Sequence, residues 1–173
     1  MAKNIILVGK PGVGKTTLVK KLLARLGSRA GGFYTGEIRR DGRRVGFDIT
    51  TTFGESGVLA HIDAKSPHRV GKYRVNVKDL DGIAVAAVRK ALESCPTAVI
   101  DEVAKMELFS EKFRGAVKEA LDSSKRVVAT MQQRKEPFLE DIKRRKDVEV
   151  LRVTVENRDS LAQEVLARLG LES

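Results

Sequence analysis

The chain is poor in the residues that support disulfide, zinc or base-stacking chemistry. Its 173 residues include one cysteine, two histidines and no tryptophan, and aromatic residues make up 5%. A single cysteine excludes an internal disulfide, and neither histidine lies in a cysteine cluster or at zinc-ligand spacing. No apolar run approaches the length of a membrane span or a signal-peptide core, so we expect a cytoplasmic protein without membrane contact.

Positive charge exceeds negative charge, with 33 Lys and Arg against 23 Asp and Glu and a net charge of +10. Such a surface attracts polyanions. The densest basic stretches, "RRDGRR" at 39–44 and "KRRK" at 143–146, suit nucleic acid, but no aromatic residues interleave with them to stack bases. Nucleic acid is therefore a less favoured partner than a nucleotide. Abundant Lys, Arg and Glu with few Asn, Gln and Cys also match heat-adapted proteins.

One motif predicts what the charge attracts. In "ILVGKPGVGKTTLVKKL", residues 6–22, Gly9, Gly14, Lys15 and Thr16 match the phosphate-binding pattern G-x-x-x-x-G-K-[ST]. A short β-rich run precedes the loop, and leucines and valines recur at helical spacing after it, as a P-loop requires. The predicted nucleotide-binding residues of this loop are Gly9, Lys10, Pro11, Gly12, Val13, Gly14, Lys15, Thr16 and Thr17.

The residue types of this loop specify its chemistry. Gly12 and Gly14 allow consecutive backbone N–H groups to turn towards an anion, and the following helix adds the partial positive charge of its N-terminus. Lys15 is expected to reach the β- and γ-phosphate oxygens as a catalytic positive charge, and the Thr16 hydroxyl to ligate Mg²⁺. The predicted ligand is therefore a polyphosphate with its metal.

The rest of the chain alternates strands and helices, which predicts one domain over residues 1–173, expected to be a monomer. The predicted fold is α/β: a mostly parallel sheet with helices on both faces and an antiparallel β-hairpin insert around Asp41-Gly42. Further strands are predicted at 57–63, 72–77, 97–102, 126–132 and 148–155. Predicted helices cover 79–94 with Asp79 as N-cap, 111–122 capped by Ser110, 137–145 and 157–169.

A second polar group follows a buried strand. "TAVIDE", residues 97–102, ends in Asp101 and Glu102. Asp101 occupies the position at which a Walker B carboxylate holds Mg²⁺ opposite Thr16, and Glu102 would then lie near the γ-phosphate as the residue that activates water. This adjacency is typical of P-loop proteins with an extra strand between the two motifs. The candidate is strand 126–132, whose Thr130 and Gln132 would point polar groups at the γ-phosphate.

Several stretches together resemble one family. "GKPGVGKTTLVKKL", "GFYTGEIR", "GFDITT", "VGKYRVNV", "DEVAKMELFS", "FRGAV" and "ENRD" follow the order and spacing of the small thermostable P-loop nucleoside-triphosphatase family. The resemblance covers nearly the whole chain. It implies a RecA-like α/β fold and slow, Mg²⁺-dependent hydrolysis of ATP, GTP and other nucleoside triphosphates to diphosphate and phosphate, with little base selectivity.

Ala104 departs from the family pattern, which has glycine there. If this position needs a positive φ, alanine strains the turn and displaces Lys105 and Glu107. We expect Lys105 to act in catalysis as a charge partner of Glu102 or of the γ-phosphate. Family analogy places Asn157 of "ENRD" in the base pocket, while its residue type favours an N-cap of the last helix.

Two other functions stay open at this stage. The first is a P-loop kinase that transfers the γ-phosphoryl group to a small molecule or a nucleic-acid end, with residues 135–146 as a candidate lid, although 137–145 read as a regular helix. The second is a nucleotide-dependent switch that contacts a partner through the basic stretches. Arg134 and Arg158 are candidate arginine fingers for any of these functions.

Overall fold

Nine strands pair into one mixed sheet in the order β5-β6-β4-β3-β2-β7-β8-β1-β9. The computed structural model that shows this sheet describes residues 2–172. The strands are β1 Asn4–Gly9, β2 Ala30–Arg40, β3 Arg43–Thr51, β4 Ser56–His61, β5 Arg69–Val70, β6 Tyr73–Val75, β7 Thr97–Val103, β8 Arg126–Gln132 and β9 Val148–Arg152.

One half of the sheet is parallel and carries the two predicted motifs. Strand β8 pairs with β1 on one side and with β7 on the other, and β9 and the start of β2 complete the parallel part. The prediction of an extra strand at 126–132 between the two motif strands is confirmed. The carboxyl ends of β1, β7 and β8 therefore open at the same edge of the sheet, where ligands bind in open α/β folds.

The other half is antiparallel and larger than predicted. Asp41 and Gly42 adopt φ values of 52° and 74°, the left-handed pair of a type I′ turn, and join β2 to β3 as the sequence predicts. Strands β4, β6 and β5 then continue the same sheet, so that pairings are divided equally between parallel and antiparallel. The prediction of a mostly parallel sheet is corrected accordingly, because β2 passes from parallel pairing with β7 into the hairpin.

Helices cover both faces of the sheet, as predicted. Helix α1 and helix α6 pack on one face, and the other face is covered by α3, α4 and α5. Within residues 2–172, none of the helices combines the length and the apolar composition that a membrane crossing needs. The helices are α1 Lys15–Leu26, α2 Val77–Asp79, α3 Ala86–Ser94, α4 Glu111–Asp122, α5 Pro137–Lys143 and α6 Leu161–Arg168.

Two predicted helix starts are wrong. The helical segment that includes α3 begins at α2, where the Asn76 side chain accepts from the Asp79 amide, and continues through a π-helical stretch at Leu80–Val85. Asp79 instead accepts from the Val58 amide at 2.9 Å, because the edge of β4 lies beside it. Helix α6 begins at Leu161 and not at 157. The Ser110 cap of α4 is confirmed, since its hydroxyl accepts from the Phe113 amide.

Candidate active site

The glycine loop, residues 9–16, joins the end of β1 to the start of α1. Gly12 and Gly14 have φ values of 78° and 111°, which only glycine adopts without strain. The Lys15 side chain folds back across the loop and donates to the carbonyl oxygens of Gly9 and Lys10 at 2.6 and 3.3 Å. An ammonium group is thereby held over the loop beside the first turn of the helix.

Asp101 is the point at which three elements meet. Its carboxylate is completely buried and accepts from the Thr16 hydroxyl of α1 at 2.8 Å. The same oxygen accepts from the backbone amide and the hydroxyl of Thr35 in β2, at 3.1 and 3.4 Å. The other oxygen accepts from the Thr130 hydroxyl of β8 at 2.9 Å. These bonds compensate the burial of the carboxylate and fix its distance from the glycine loop.

Glu102 has an unusual backbone. Its φ is 90°, and it lies where the register between β7 and β8 shifts, between Ile100 and Val103. Its amide donates to the Thr130 hydroxyl at 2.7 Å instead of to a strand carbonyl. Bulges of this kind redirect a side chain, and a glutamate at positive φ is strained. Within the described residues, the buried Oε1 atom of Glu102 has no hydrogen-bond partner.

Burial sets the protonation of this region. Desolvation raises the pKa of Glu102 to about 7, with the nearby Asp101 charge acting in the same direction and Lys15 opposing both. Glu107 is fully buried and accepts from the Ala104 amide at 3.2 Å. Its pKa is raised well above the ordinary value, first by burial and then by the charge of Glu102. Two carboxyl groups thus lie in a water-poor region beside one ammonium group.

Ala104 fits its position. Between residues 2 and 172, the non-glycine residues with positive φ are Asp41 and Glu102. The strain considered for Ala104 is therefore absent there and lies two residues earlier, at Glu102. The buried methyl group of Ala104 leaves Glu107 bonded to the backbone of the same turn.

A cleft of about 700 Å³ opens above these residues. Its floor is formed by the glycine loop and the start of α1, and its walls by the β2–β3 hairpin, strands β4 to β6 and the turn after β7. The lining residues are Pro11, Gly12, Gly14, Lys15, Thr16, Thr17, Lys20, Thr35, Gly36, Glu37, Arg44, Phe47, Leu59, Val70, Gly71, Tyr73, Glu102, Ala104, Lys105, Met106, Glu107, Gln132 and Arg134.

A smaller cavity of about 290 Å³ lies beside the start of α1. Gly14 and Thr17 line both cavities, so the two meet at the start of α1. Arg158 extends over the loop and donates to the Val13 carbonyl at 3.3 Å. The remaining lining residues of this cavity are Leu18, Lys21 and Asp159.

The predicted site residues fall into three groups. Most of the loop, together with Glu102 and Lys105, lines the large cleft, while Gly9, Lys10 and Val13 shape the loop without lining it. Asp101 lies beneath the cleft, bonded to Thr16. The charge facing Glu102 belongs to Lys15 and not to the exposed Lys105.

Asn157 lines neither cavity and caps no helix. Its side chain accepts from the Thr154 amide at 2.8 Å and donates to the Arg152 carbonyl at 2.7 Å. Both groups of the amide are therefore used to fix the turn after β9, which delays the start of α6. The expected N-cap is corrected for this reason. The two arginines considered as fingers are separated, because Arg134 lines the large cleft and Arg158 the smaller cavity.

Sequence reasoning missed the walls of the cleft. Thr35, Arg44, Phe47, Tyr73 and Met106 all line it, and none belongs to a phosphate-binding motif. Thr35 could have been recognised by one feature, a hydroxyl group in the buried half of a strand. Arg44, Phe47 and Tyr73 come from the hairpin and the short strand β6, which reach the site only through the pairing of the sheet, and Met106 comes from the turn after β7.

The basic stretches are largely neutralised. Arg39 and Arg44 both pair with Glu37, at 2.7 and 3.2 Å, and Arg40 pairs with Asp63 at 3.3 Å. In the second stretch, Arg145 pairs with Asp122 and Asp147, and Lys143 with Glu140. This pairing lowers the charge available for phosphate backbones, which weakens the case for nucleic acid.

The donor set around Asp101 suits a hard cation. The carboxylate and the hydroxyls of Thr16, Thr35 and Thr130 are all oxygen groups. From residue 2 to residue 172, no three His, Cys, Asp or Glu side chains gather in a way that would enclose a metal ion. Mg²⁺ is commonly bound by one or two carboxylates together with substrate phosphates, so the residues present are compatible with it.

Comparison with known proteins agrees with this geometry. A family model described as NTPase matches residues 4–166. The chain is 52% identical over 166 residues to the nucleoside-triphosphatase THEP1 of Thermotoga sp. (strain RQ2), covering 96% of this chain and 95% of that one. It is 37% identical over 183 residues to the mouse cancer-related nucleoside-triphosphatase homolog, covering 96% of each.

A solved structure shows the same fold. The crystal structure of THEP1 from the hyperthermophile Aquifex aeolicus superposes with a TM-score of 0.89 at 40% identity, over 96% of this chain and 98% of that one. The α/β P-loop NTPase-like fold predicted from the sequence is thereby confirmed. The family model and the identity to named enzymes extend over nearly the whole chain. The chain belongs to the NTPase family of nucleoside-triphosphatases.

Proposed function

We propose that the protein hydrolyses ATP, GTP and other nucleoside triphosphates to the diphosphate and phosphate, with Mg²⁺ and with little base selectivity. The observation that carries the proposal is the adjacency of Asp101 and Glu102. Asp101 is hydrogen-bonded to Thr16 of the glycine loop, and the adjacent Glu102, which lines the large cleft, has a buried carboxyl oxygen without a hydrogen-bond partner among the described residues.

The substrate is bound across the start of α1. The glycine loop and the helix N-terminus receive the phosphates, and Lys15 exchanges its two carbonyl partners for phosphate oxygens. The γ-phosphate lies beside Lys15 and Glu102 in the large cleft. Thr17 lines both cavities, and the nucleoside binds beyond it in the smaller cavity. The side chains of Lys21, Arg158 and Asp159 border that cavity at the surface. An open border of this kind supports weak discrimination between bases.

The Thr16 hydroxyl and the Asp101 carboxylate would hold Mg²⁺. Both are positioned before substrate binds, because Asp101 is also bonded to Thr35 and Thr130. When bound, the metal neutralises charge that develops on the phosphate oxygens. Lys15 contributes a second positive charge.

Glu102 acts as the general base. A water oxygen attacks the γ-phosphorus, the bond between that phosphorus and the β-bridging oxygen breaks, and the proton of the water passes to the Glu102 carboxylate. Burial and the raised pKa make this carboxylate a stronger proton acceptor than an exposed one. The diphosphate and phosphate then leave through the open cleft.

Hydrolysis is favoured over kinase action because the candidate lid belongs to the core. Residues 137–143 form helix α5, whose Leu139 and Ile142 side chains are buried against the sheet. A segment anchored in this way does not close over a cleft as a kinase lid does.

A phosphate-release screen tests the proposal. Wild-type protein is incubated with ATP, GTP, CTP or UTP, with and without Mg²⁺, and Lys15→Ala serves as the control for contaminating phosphatase. We expect steady, Mg²⁺-dependent release by the wild type and none above background by the variant. Equal release by the two proteins, or release that does not respond to Mg²⁺, would contradict the assignment.

A further inference from the structure

The large cleft is lined by residues beyond the glycine loop and the turn after β7. Its far end, here called the distal lobe, is lined by Arg44, Phe47, Leu59, Val70, Gly71 and Tyr73. These residues come from β3, β4, β5, β6 and the turn between the last two, which form the antiparallel half of the sheet. The distal lobe is therefore built by elements other than those that carry the glycine loop and Asp101.

The distal lobe is a preformed aromatic site. The rings of Phe47 and Tyr73 lie edge to face with centroids 5.1 Å apart. The Arg44 guanidinium lies 4.9 Å from the Phe47 centroid and donates to the Tyr73 hydroxyl at 2.9 Å. Glu37 accepts from a second nitrogen of Arg44 at 3.2 Å. Within the described residues, the third guanidinium nitrogen, Nη2, has no partner and remains able to bind an anion.

From its γ-phosphate, the nucleoside triphosphate extends away from the distal lobe. On the proposed function, on which this step rests, its γ-phosphate lies between Lys15 and Glu102 and its nucleoside in the smaller cavity beyond Thr17. The distal lobe lies in the large cleft, which is the cavity of Lys15 and Glu102 and not the cavity of Arg158. The lobe thus stays free when the triphosphate is bound.

The charged residues that line the large cleft indicate which class of ligand fits the distal lobe. Lys105 and Arg134 line the same cleft, and within the residues described neither takes part in a salt bridge. Glu37, the acidic residue at the distal lobe, is paired with Arg39 and Arg44. A ligand with an aromatic ring for Phe47 and Tyr73 and a negative group for the free cations complements this surface.

We propose that the distal lobe binds a second small molecule at the same time as the nucleoside triphosphate, and that this molecule is a planar aromatic anion of the nucleoside monophosphate type. The ring contacts Phe47, Tyr73 and the guanidinium of Arg44, and the anionic group faces Lys105 and Arg134. The second molecule then lies on the γ-phosphate side of the triphosphate.

The absence of tryptophan from the sequence provides a direct test. Phe47→Trp places a single tryptophan in the distal lobe, and Phe138→Trp on α5 places one outside both cavities as a matched control. AMP, GMP, CMP and UMP are titrated with and without Mg²⁺ and a non-hydrolysable ATP analogue. We expect a saturable fluorescence change in Phe47→Trp alone, with a Kd that changes less than about threefold when the analogue is bound.

Two results would overturn the proposal. Displacement of the monophosphate by the analogue, with a Kd raised more than about tenfold, would show that the distal lobe holds the base of the triphosphate. No saturable change with any of the four monophosphates up to about 10 mM would show that the lobe does not bind this class.

A second variant avoids dependence on the reporter. Equilibrium dialysis of labelled AMP is compared between wild type, Arg44→Met and Arg43→Met, the last being exposed on the same hairpin outside the cleft. Arg44→Met is expected to weaken AMP binding about tenfold, because it removes the guanidinium that contacts the ring, with KM for the triphosphate unchanged. Equal AMP affinity in all three proteins would overturn the proposal, whereas absent phosphate release in the wild type would refute the hydrolase assignment separately.

Discussion

The hydroxyl of Thr16 donates a 2.8 Å hydrogen bond to the carboxylate of Asp101, across 85 residues of sequence. This contact joins the two predicted motifs and fixes the oxygens that we propose as Mg²⁺ ligands before substrate arrives. Replacing Thr16 by alanine removes one of those oxygens, whereas serine keeps it. We expect Thr16→Ala to raise the Mg²⁺ concentration for half-maximal hydrolysis at least tenfold and Thr16→Ser to raise it far less. Identical Mg²⁺ titrations for the two variants would exclude the hydroxyl as a ligand.

Glu102→Gln separates hydrolysis from binding. The amide keeps the size of the side chain but does not accept the proton of the attacking water. General-base catalysis typically contributes a hundredfold to ten-thousandfold, so kcat should fall by about that factor, or roughly 3 to 5 kcal/mol of barrier. Calorimetric titration with a non-hydrolysable analogue should give an unchanged Kd. An unchanged kcat would direct the search to Glu107 and Lys105.

The raised pKa of Glu102 predicts a pH profile. The free enzyme needs the carboxylate, and burial raises the pKa of this group to about 7. We therefore expect kcat/KM to rise with pH through a midpoint near that value and then to level off, because kcat/KM reports ionisation in the free enzyme. Glu102→Gln is the control for ionisation of the nucleotide itself. If kcat/KM rises with the same midpoint in both proteins, the ionisation belongs to the substrate and not to Glu102.

Glu102→Gly should stabilise the fold while abolishing hydrolysis. The substitution relieves a φ of 90° and removes a buried carboxyl oxygen that has no hydrogen-bond partner among residues 2–172. Relief of the backbone strain is worth about 1 kcal/mol, or a rise of roughly 2 to 4 °C in Tm. Asp41→Gly, at the other non-glycine positive φ, tests strain without a buried carboxyl group.

The stability gain of Glu102→Gly should also depend on pH. Because the folded pKa of Glu102 exceeds the unfolded one, the native state binds the extra proton, and wild-type stability falls as pH rises from about 4.5 to about 7. The gain of the glycine variant should therefore be larger at pH 8 than at pH 4. Chemical denaturation at the two pH values measures it, and an equal gain at both values would contradict the prediction.

The open border of the smaller cavity, in which we propose that the nucleoside binds, predicts similar turnover of ATP and GTP. A preference of more than about a hundredfold, equivalent to roughly 2.7 kcal/mol, would require a specific contact with the base. Asp159, which borders the smaller cavity with its side chain largely exposed, would then be the first residue to replace. Initial rates at matched saturation with Mg²⁺ provide the measurement.

The sequence alone determined the parts of the site that depend on short spacings. The glycine loop, the polar pair at the end of β7 and the Asp41-Gly42 turn each require particular residue types within a few positions, because backbone conformation and phosphate or metal contact are local there. The alternation of strands and helices could also be predicted from the sequence, including β8 between the two strands that carry the motifs. These features do not depend on how the rest of the chain folds.

Tertiary structure decided what depends on contacts between distant segments. The bulge that places Glu102 at positive φ arises from the pairing of β7 with β8 and from the Thr130 hydroxyl, neither of which the letters "DE" contain. Asp79 resembles a helix cap, yet its side chain accepts from the amide of Val58, 21 residues earlier in the chain. The distal lobe exists only because the antiparallel strands extend the sheet past the phosphate loop. Hydrogen-bond competition and strand register act over long sequence separations, and a local pattern does not encode which partner wins.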